Sequence, residues 1–77
     1  MLHPMACVEA KTRFGANVRR YRKRLDLSQE ALGFKCGLHP TEISRLERAR
    51  REPRLGTIVV IARALEVKPG ELLDGIA

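Results

Sequence analysis

Residues Gln29 to Arg48, QEALGFKCGLHPTEISRLER, decide how this chain is read. Leu32 and Cys36 are spaced as neighbours on one face of a helix, and Ile43 and Leu46 as neighbours on one face of a second. Both apolar faces require the same core. Between them lies Gly37, the residue type best able to take the positive φ that ends a helix in one step, followed by Leu38 as an apolar plug for the corner. Gly33 sits in the middle of the first helix, where glycine costs roughly 1 kcal/mol relative to alanine. Its presence predicts that another backbone passes close by, which a crossing second helix would supply.

The second helix carries its own start signal. His39 is placed to act as N-cap, Pro40 suits the first helical position because its missing N–H is not needed there, and Glu42 lies in the first turn. With Ile43 set inward and about 100° allowed per residue, Leu46 also turns inward, Glu47 lies about 40° from Ile43, and Thr41, Ser44, Arg45 and Arg48 occupy the far side. Short hydroxyls and forked guanidiniums are the side chains that reach base edges and phosphates when a helix enters the major groove. A solvated helix face would also be polar. The helix, corner, helix spacing of a helix-turn-helix favours reading residues 40–48 as a recognition helix.

With 77 residues the chain makes one small domain with a thin core, for which self-association is a common source of added stability. The sequence has neither the apolar run of a membrane span nor a signal-peptide pattern, so a cytoplasmic location is expected. Cys7 and Cys36 lack metal-ligand spacing, and His3 adds only an isolated candidate. Free thiols, no metal and no cofactor are expected. The net charge of +6 is concentrated: residues 11–54 hold 13 Lys/Arg against 5 Asp/Glu, whereas residues 1–10 and 55–77 are each slightly acidic. A pI near 10.2 with clustered arginine is the electrostatic footprint of a polyanion binder.

Residues 1–11 show no clear period and read as a tail, unordered or adding a turn to the first helix; the domain proper is placed at 12–77. Thr12 is a suitable N-cap, and Phe14, Val18, Tyr21 and Leu25 form the apolar stripe of helix 1. Its outer face carries Arg13, Arg20 and Arg24, with Arg19 and Lys23 beside them. Arg22 falls at the edge of the buried stripe, as Glu47 does on the recognition helix, so the two can meet. Ser28 N-caps helix 2, expected at about 29–36, with Leu27 and Leu32 as a hydrophobic staple. Arg48, Arg50, Arg51 and Arg54 make a basic loop that Pro53 keeps from being helical.

LGTIVVIARAL sets Leu55, Ile58, Val59, Ala62 and Leu65 on one stripe of helix 4, leaving Val60 and Ile61 outside it. Lys68, Pro69 and Glu71 open a short fifth helix bearing Leu72, Leu73 and Ile76, one leucine of which can complete the core. The surplus makes Val60, Ile61, Leu72, Leu73 and Ile76 the expected dimer surface.

From Phe14-Gly15 to Leu73 the chain resembles the lambda-repressor-like, Cro-type helix-turn-helix family, the xenobiotic-response-element regulators. The resemblance rests on Arg22, on Leu27-Ser28-Gln29-Glu30-Ala31-Leu32, on Gly37-Leu38, on Ile43-Ser44-Arg45-Leu46-Glu47-Arg48, on Pro53, and on Ile61-Ala62-Arg63-Ala64-Leu65. It implies an all-α, five-helix DNA-binding domain that sits on a palindromic operator, usually as a two-fold dimer. Position by position it implies DNA contact from Ser28 and Gln29 at the start of helix 2, from His39, Pro40, Thr41, Ser44 and Arg45 facing the major groove, and from Arg48 and the Arg50–Arg54 loop on phosphates. It also implies that Arg22 and Glu47 form a structural ion pair. Three positions depart from the pattern: Pro40 where many relatives have a hydrogen-bonding side chain, Gly33 for alanine, and Ala49 for glycine.

The expected function is sequence-specific binding of double-stranded operator DNA by a homodimeric transcription regulator, with Arg45 as main base reader. No membrane or small-molecule partner is evident. The small size also resembles the restriction–modification controller proteins of this family. An antitoxin that binds both an operator and a toxin is the alternative, and a protein-interaction module without operator binding is another; the latter calls for exposed apolar residues on helix 3. Catalysis is not expected, because His39 has no evident base partner and the acids are explained as caps, surface charges or the partner of Arg22.

Overall fold

The computed structural model describes the backbone of residues 4–76 and the side chains of residues 9–76. His3 and the Cys7 side chain, considered above as metal ligands, lie outside the described residues. The elements in order are α1 (Pro4–Arg24), α2 (Gln29–Cys36), α3 (Pro40–Glu47), α4 (Leu55–Ala64) and a 3₁₀ helix (Pro69–Leu73). Among the described residues the architecture is therefore four α-helices and one 3₁₀ turn, a correction to the five-helix expectation. Pro69 and Gly70 open the last element, while Asp74 and Gly75 (φ 82°) close it, leaving too few residues for an α-helix.

Within the described residues α1 runs from Pro4, eight residues before the expected Thr12 cap, so residues 4–11 lengthen the first helix, the second of the two readings given for this segment. Proline fits a first helical position, and nothing from Met5 to Lys11 breaks a helix. At its other end α1 stops at Arg24, so Leu25 lies in a turn and is 37% exposed instead of completing the buried stripe. Asp26 reverses the chain with φ 57°.

The two central helices follow their caps. Ser28 Oγ accepts from Ala31 N–H at 2.9 Å, Gly37 ends α2 at φ 72°, and His39 Nδ1 accepts from Thr41 N–H at 3.1 Å ahead of Pro40. A Cβ on Gly33 would collide with the Leu38 carbonyl oxygen, so the close backbone belongs to the corner entering α3. Gly15 has the same role against α3 itself: a Cβ there would collide with the Leu46 carbonyl and lie 2.7 Å from that of Glu47.

The core consists of Phe14, Val18 and Tyr21 of α1, Leu32 of α2, Ile43 and Leu46 of α3, Ile61, Ala62 and Leu65 around α4, and Leu72. Helix α4 is thus rolled from its expected orientation. Ile61 is fully buried and Val60 packs on the core, while Leu55 is 78% exposed. With apolar residues at Leu55, Ile58, Val59, Val60, Ile61 and Ala62, the sequence of α4 has no single greasy side, and packing between α2 and the 3₁₀ helix sets the roll. Ile61 and Leu72 therefore belong to the core of one chain, a correction to their place in the expected dimer surface. Leu73 is 42% exposed, and Val60 and Ile76 are half-buried.

Asn17 has no counterpart in the sequence reading. It is 7% exposed, and its Nδ2 donates to the Leu72 and Asp74 carbonyls, each at 2.9 Å, which ties the 3₁₀ helix to α1.

Candidate nucleic-acid interface

Helix α3 separates its residues into a buried and an outward side. Ile43 and Leu46 are at most 1% exposed, whereas Thr41, Arg45 and Arg48 are exposed and Ser44 is half-buried. No apolar residue of α3 is exposed, and Pro40 at its first position is half-buried. His39 spends Nδ1 on its own cap, which assigns the proton to Nε2 and leaves that N–H to donate outward. Ser28 likewise accepts at the cap with Oγ, and its O–H remains available to a phosphate oxygen.

Beneath this surface lies the pair that sets the angle of α3. Arg22 Nε donates to Glu47 Oε2 at 2.6 Å and Nη2 to Oε1 at 2.9 Å, while Nη1 donates to the Leu27 carbonyl at 2.8 Å. One guanidinium therefore binds α1, the α1–α2 corner and α3 together. The Glu47 hydrogen bonds hold the Arg22 pKa above its ordinary value, against a smaller opposing effect of burial. Gln29 adds a third bond to the carboxylate, Nε2 to Oε1 at 3.1 Å. Sequence reasoning brought Arg22 to Glu47 but missed this bond, so one Gln29 N–H is engaged inside the protein while its carbonyl remains an acceptor.

The loop after α3 folds back on the helix. Ala49 takes φ 58°, and Arg50 N–H donates to the Arg45 carbonyl at 2.8 Å. Arg50, Arg51 and Arg54 of this loop are all exposed, and Arg51 reaches back to Glu42 of α3. On α1, the guanidiniums of Arg20 and Arg24 stand 4.8 and 5.4 Å from the Tyr21 ring centroid, so stacking holds these cations at the surface. Burial pushes the half-buried Cys36 thiol up in pKa. Among the described residues no cluster of His, Cys, Asp and Glu is arranged to hold a metal ion. No described helix is long and apolar enough to cross a membrane.

Two capped helices at a glycine corner, joined through a buried Arg–Glu pair to a long first helix, match the helix-turn-helix family over residues 18–72. The chain belongs to that family. It is 47% identical over 62 residues to control protein C.BamHI of Bacillus amyloliquefaciens, covering 79% of this chain and 76% of that protein. Among solved structures it resembles the restriction-modification controller protein C.AhdI of Aeromonas hydrophila, with TM-score 0.79 and 37% identity over 80% of this chain and 94% of that one. It also resembles the P22 c2 repressor in complex with a synthetic operator, with TM-score 0.75 and 35% identity over the same shares of the two chains. The all-helical frame of this helix-turn-helix protein is thus that of the lambda- and 434-type repressor domains. The expected contact residues Ser28, Gln29, His39, Pro40, Thr41, Ser44, Arg45, Arg48, Arg50 and Arg54 are all at least partly exposed, at the start of α2, along α3 and in the basic loop.

Proposed function

We propose that this chain is a transcription regulator that binds a palindromic operator as a homodimer, with α3 in the major groove, and that it acts as a restriction–modification controller. The observation that carries the reading is the outward side of α3: Thr41, Ser44, Arg45 and Arg48 beside an arginine loop, with the apolar residues of the helix directed inward. Likeness to two controller proteins and to a repressor bound to operator DNA supports it. Arg45 is the base reader, bidentate to guanine O6 and N7, with Thr41, Ser44 and the His39 Nε2–H beside it. Arg48, Arg50 and Arg54, together with Ser28 and Gln29 at the N-terminus of α2, hold phosphates.

Half-sites one turn apart lie about 34 Å from each other. The domain measures 38 × 22 × 20 Å, so two copies whose long axes follow the operator span that distance. Leu73, Ile76 and Val60 are the remaining candidates for contact between the copies. The absence of exposed apolar side chains on α3 favours DNA over a protein partner at this helix.

The test is selection of bound duplexes from a random pool at about 150 mM salt, where charge alone no longer retains DNA. Enrichment of a two-fold symmetric motif is the expected result. Recovery of no motif would overturn the reading and leave the arginines with nonspecific attraction only.

A further inference from the structure

Glu42 is an acid beside a face built to meet polyanions. It occupies the third position of α3, where a carboxylate commonly folds back on the N-cap N–H. Here it turns sideways instead: Oε1 accepts from Arg51 Nη1 at 3.0 Å and stands 3.8 Å from Arg45 Nη1. One carboxylate oxygen thus serves two guanidiniums, one on the recognition helix and one on the basic loop. The three side chains are 32%, 51% and 48% exposed. Surface pairs of that kind add little to folding, so the arrangement is poorly explained as a stability device. A polar cleft of about 190 Å³ beside it is lined by Arg54, Glu52 and Thr57 along with the pair itself.

We propose that Glu42 is a specificity-determining positioning residue. Its carboxylate ties Arg51 to α3 and withholds that cation from the phosphates of random DNA, and it restrains Arg45 on the flank of the helix from which Arg45 reads a base. Affinity for any duplex is thereby lowered while preference for the operator is raised. This inference rests on the operator-binding reading. A freed Arg51 would neutralise about one further phosphate, and each one steepens the dependence of log K on log salt by about 0.9. Glu52 provides the control for net charge: it lies in the same loop, is exposed, and makes no ion pair among the described residues.

The experiment measures fluorescence anisotropy of a selected operator duplex and a scrambled duplex across a salt series, for wild type, E42Q, E52Q and E42Q/R51A, each checked by thermal melting. E42Q is expected to melt like wild type, to bind the scrambled duplex more tightly with a slope steeper by about 0.9, and to lose several-fold in its operator-to-scrambled ratio. E52Q, with the same change of charge, should leave that slope and ratio near wild type, and R51A in the E42Q background should restore the slope. E42Q behaving like E52Q in both readouts would overturn the proposal. So would a loss that single-base variants of the operator, titrated alongside, confine to one base pair, which would make Glu42 a direct base reader. Equal affinity of wild type for the two duplexes would instead overturn the operator reading, and this inference with it.

Discussion

Replacing Glu47 by alanine should unfold the domain before it alters what the domain recognises. The carboxylate is 3% exposed and receives three hydrogen bonds, from Arg22 Nε at 2.6 Å, Arg22 Nη2 at 2.9 Å and Gln29 Nε2 at 3.1 Å. Its loss leaves a guanidinium that is 11% exposed with one remaining partner, the Leu27 carbonyl. Removing one side of a buried pair typically costs about 3–5 kcal/mol, because the surviving charge stays desolvated. A domain of 77 residues has a total stability of roughly 4–12 kcal/mol. Each kcal/mol lowers the melting temperature of a domain this size by about 4–8 °C, so a fall of at least about 12 °C is expected for Glu47→Ala. Thermal unfolding by circular dichroism, with urea denaturation as a second measure, gives the value. Glu47→Gln, which keeps the shape and an acceptor oxygen, should fall between the two. Arg22→Met combined with Glu47→Leu should lose less than Glu47→Ala, since no charge is left buried. A Glu47→Ala melting temperature within about 2 °C of wild type would refute the reasoning.

Arg45→Ala should reduce discrimination between the selected operator and its single-base variants by about 1–3 kcal/mol at the guanine it reads; equal weakening on specific and random duplexes would make Arg45 a phosphate clamp. Ala49→Gly should stabilise the fold by about 1 kcal/mol, because Ala49 holds φ 58°, a conformation that costs a residue with a Cβ roughly 1–2 kcal/mol; an unchanged or lower urea midpoint would contradict this. Burial raises the Cys36 thiol pKa above its ordinary 9.0, so the unfolded chain loses that proton first and the native state loses relative stability as pH rises past that value. The urea midpoint of wild type should accordingly fall faster than that of Cys36→Ala between about pH 7.5 and pH 10, and parallel decline of the two would count against it.

What the sequence revealed in advance was what local chemistry encodes. Ser28, Gly37, His39 and Pro40 each act on the backbone within a few residues, so both ends of α2 and the start of α3 were legible. Arg22 and Glu47 were legible because each falls on the margin of an apolar stripe, and the family resemblance assigned them to each other. The start of α1 at Pro4 was hidden because residues 4–11 can be helical without an amphipathic period. The roll of α4 was hidden because its first eight residues include six apolar ones, and Leu72 on a distant element decides which of them turn inward. Gly15 and Asn17 read as ordinary helix residues until α3 and the 3₁₀ helix are laid against them. The Glu42–Arg51 bond depends on the path of an irregular loop, which no spacing rule gives.

The central claim is that α3 reads bases in the major groove from two symmetric copies. Guanine N7 methylation interference on the selected duplex tests it most directly, since N7 lies on the major-groove edge that Arg45 would grip. Two symmetric clusters of interfering guanines about one helical turn apart, both lost with Arg45→Ala, are the predicted result. Binding that is indifferent to N7 methylation throughout the duplex would contradict the account.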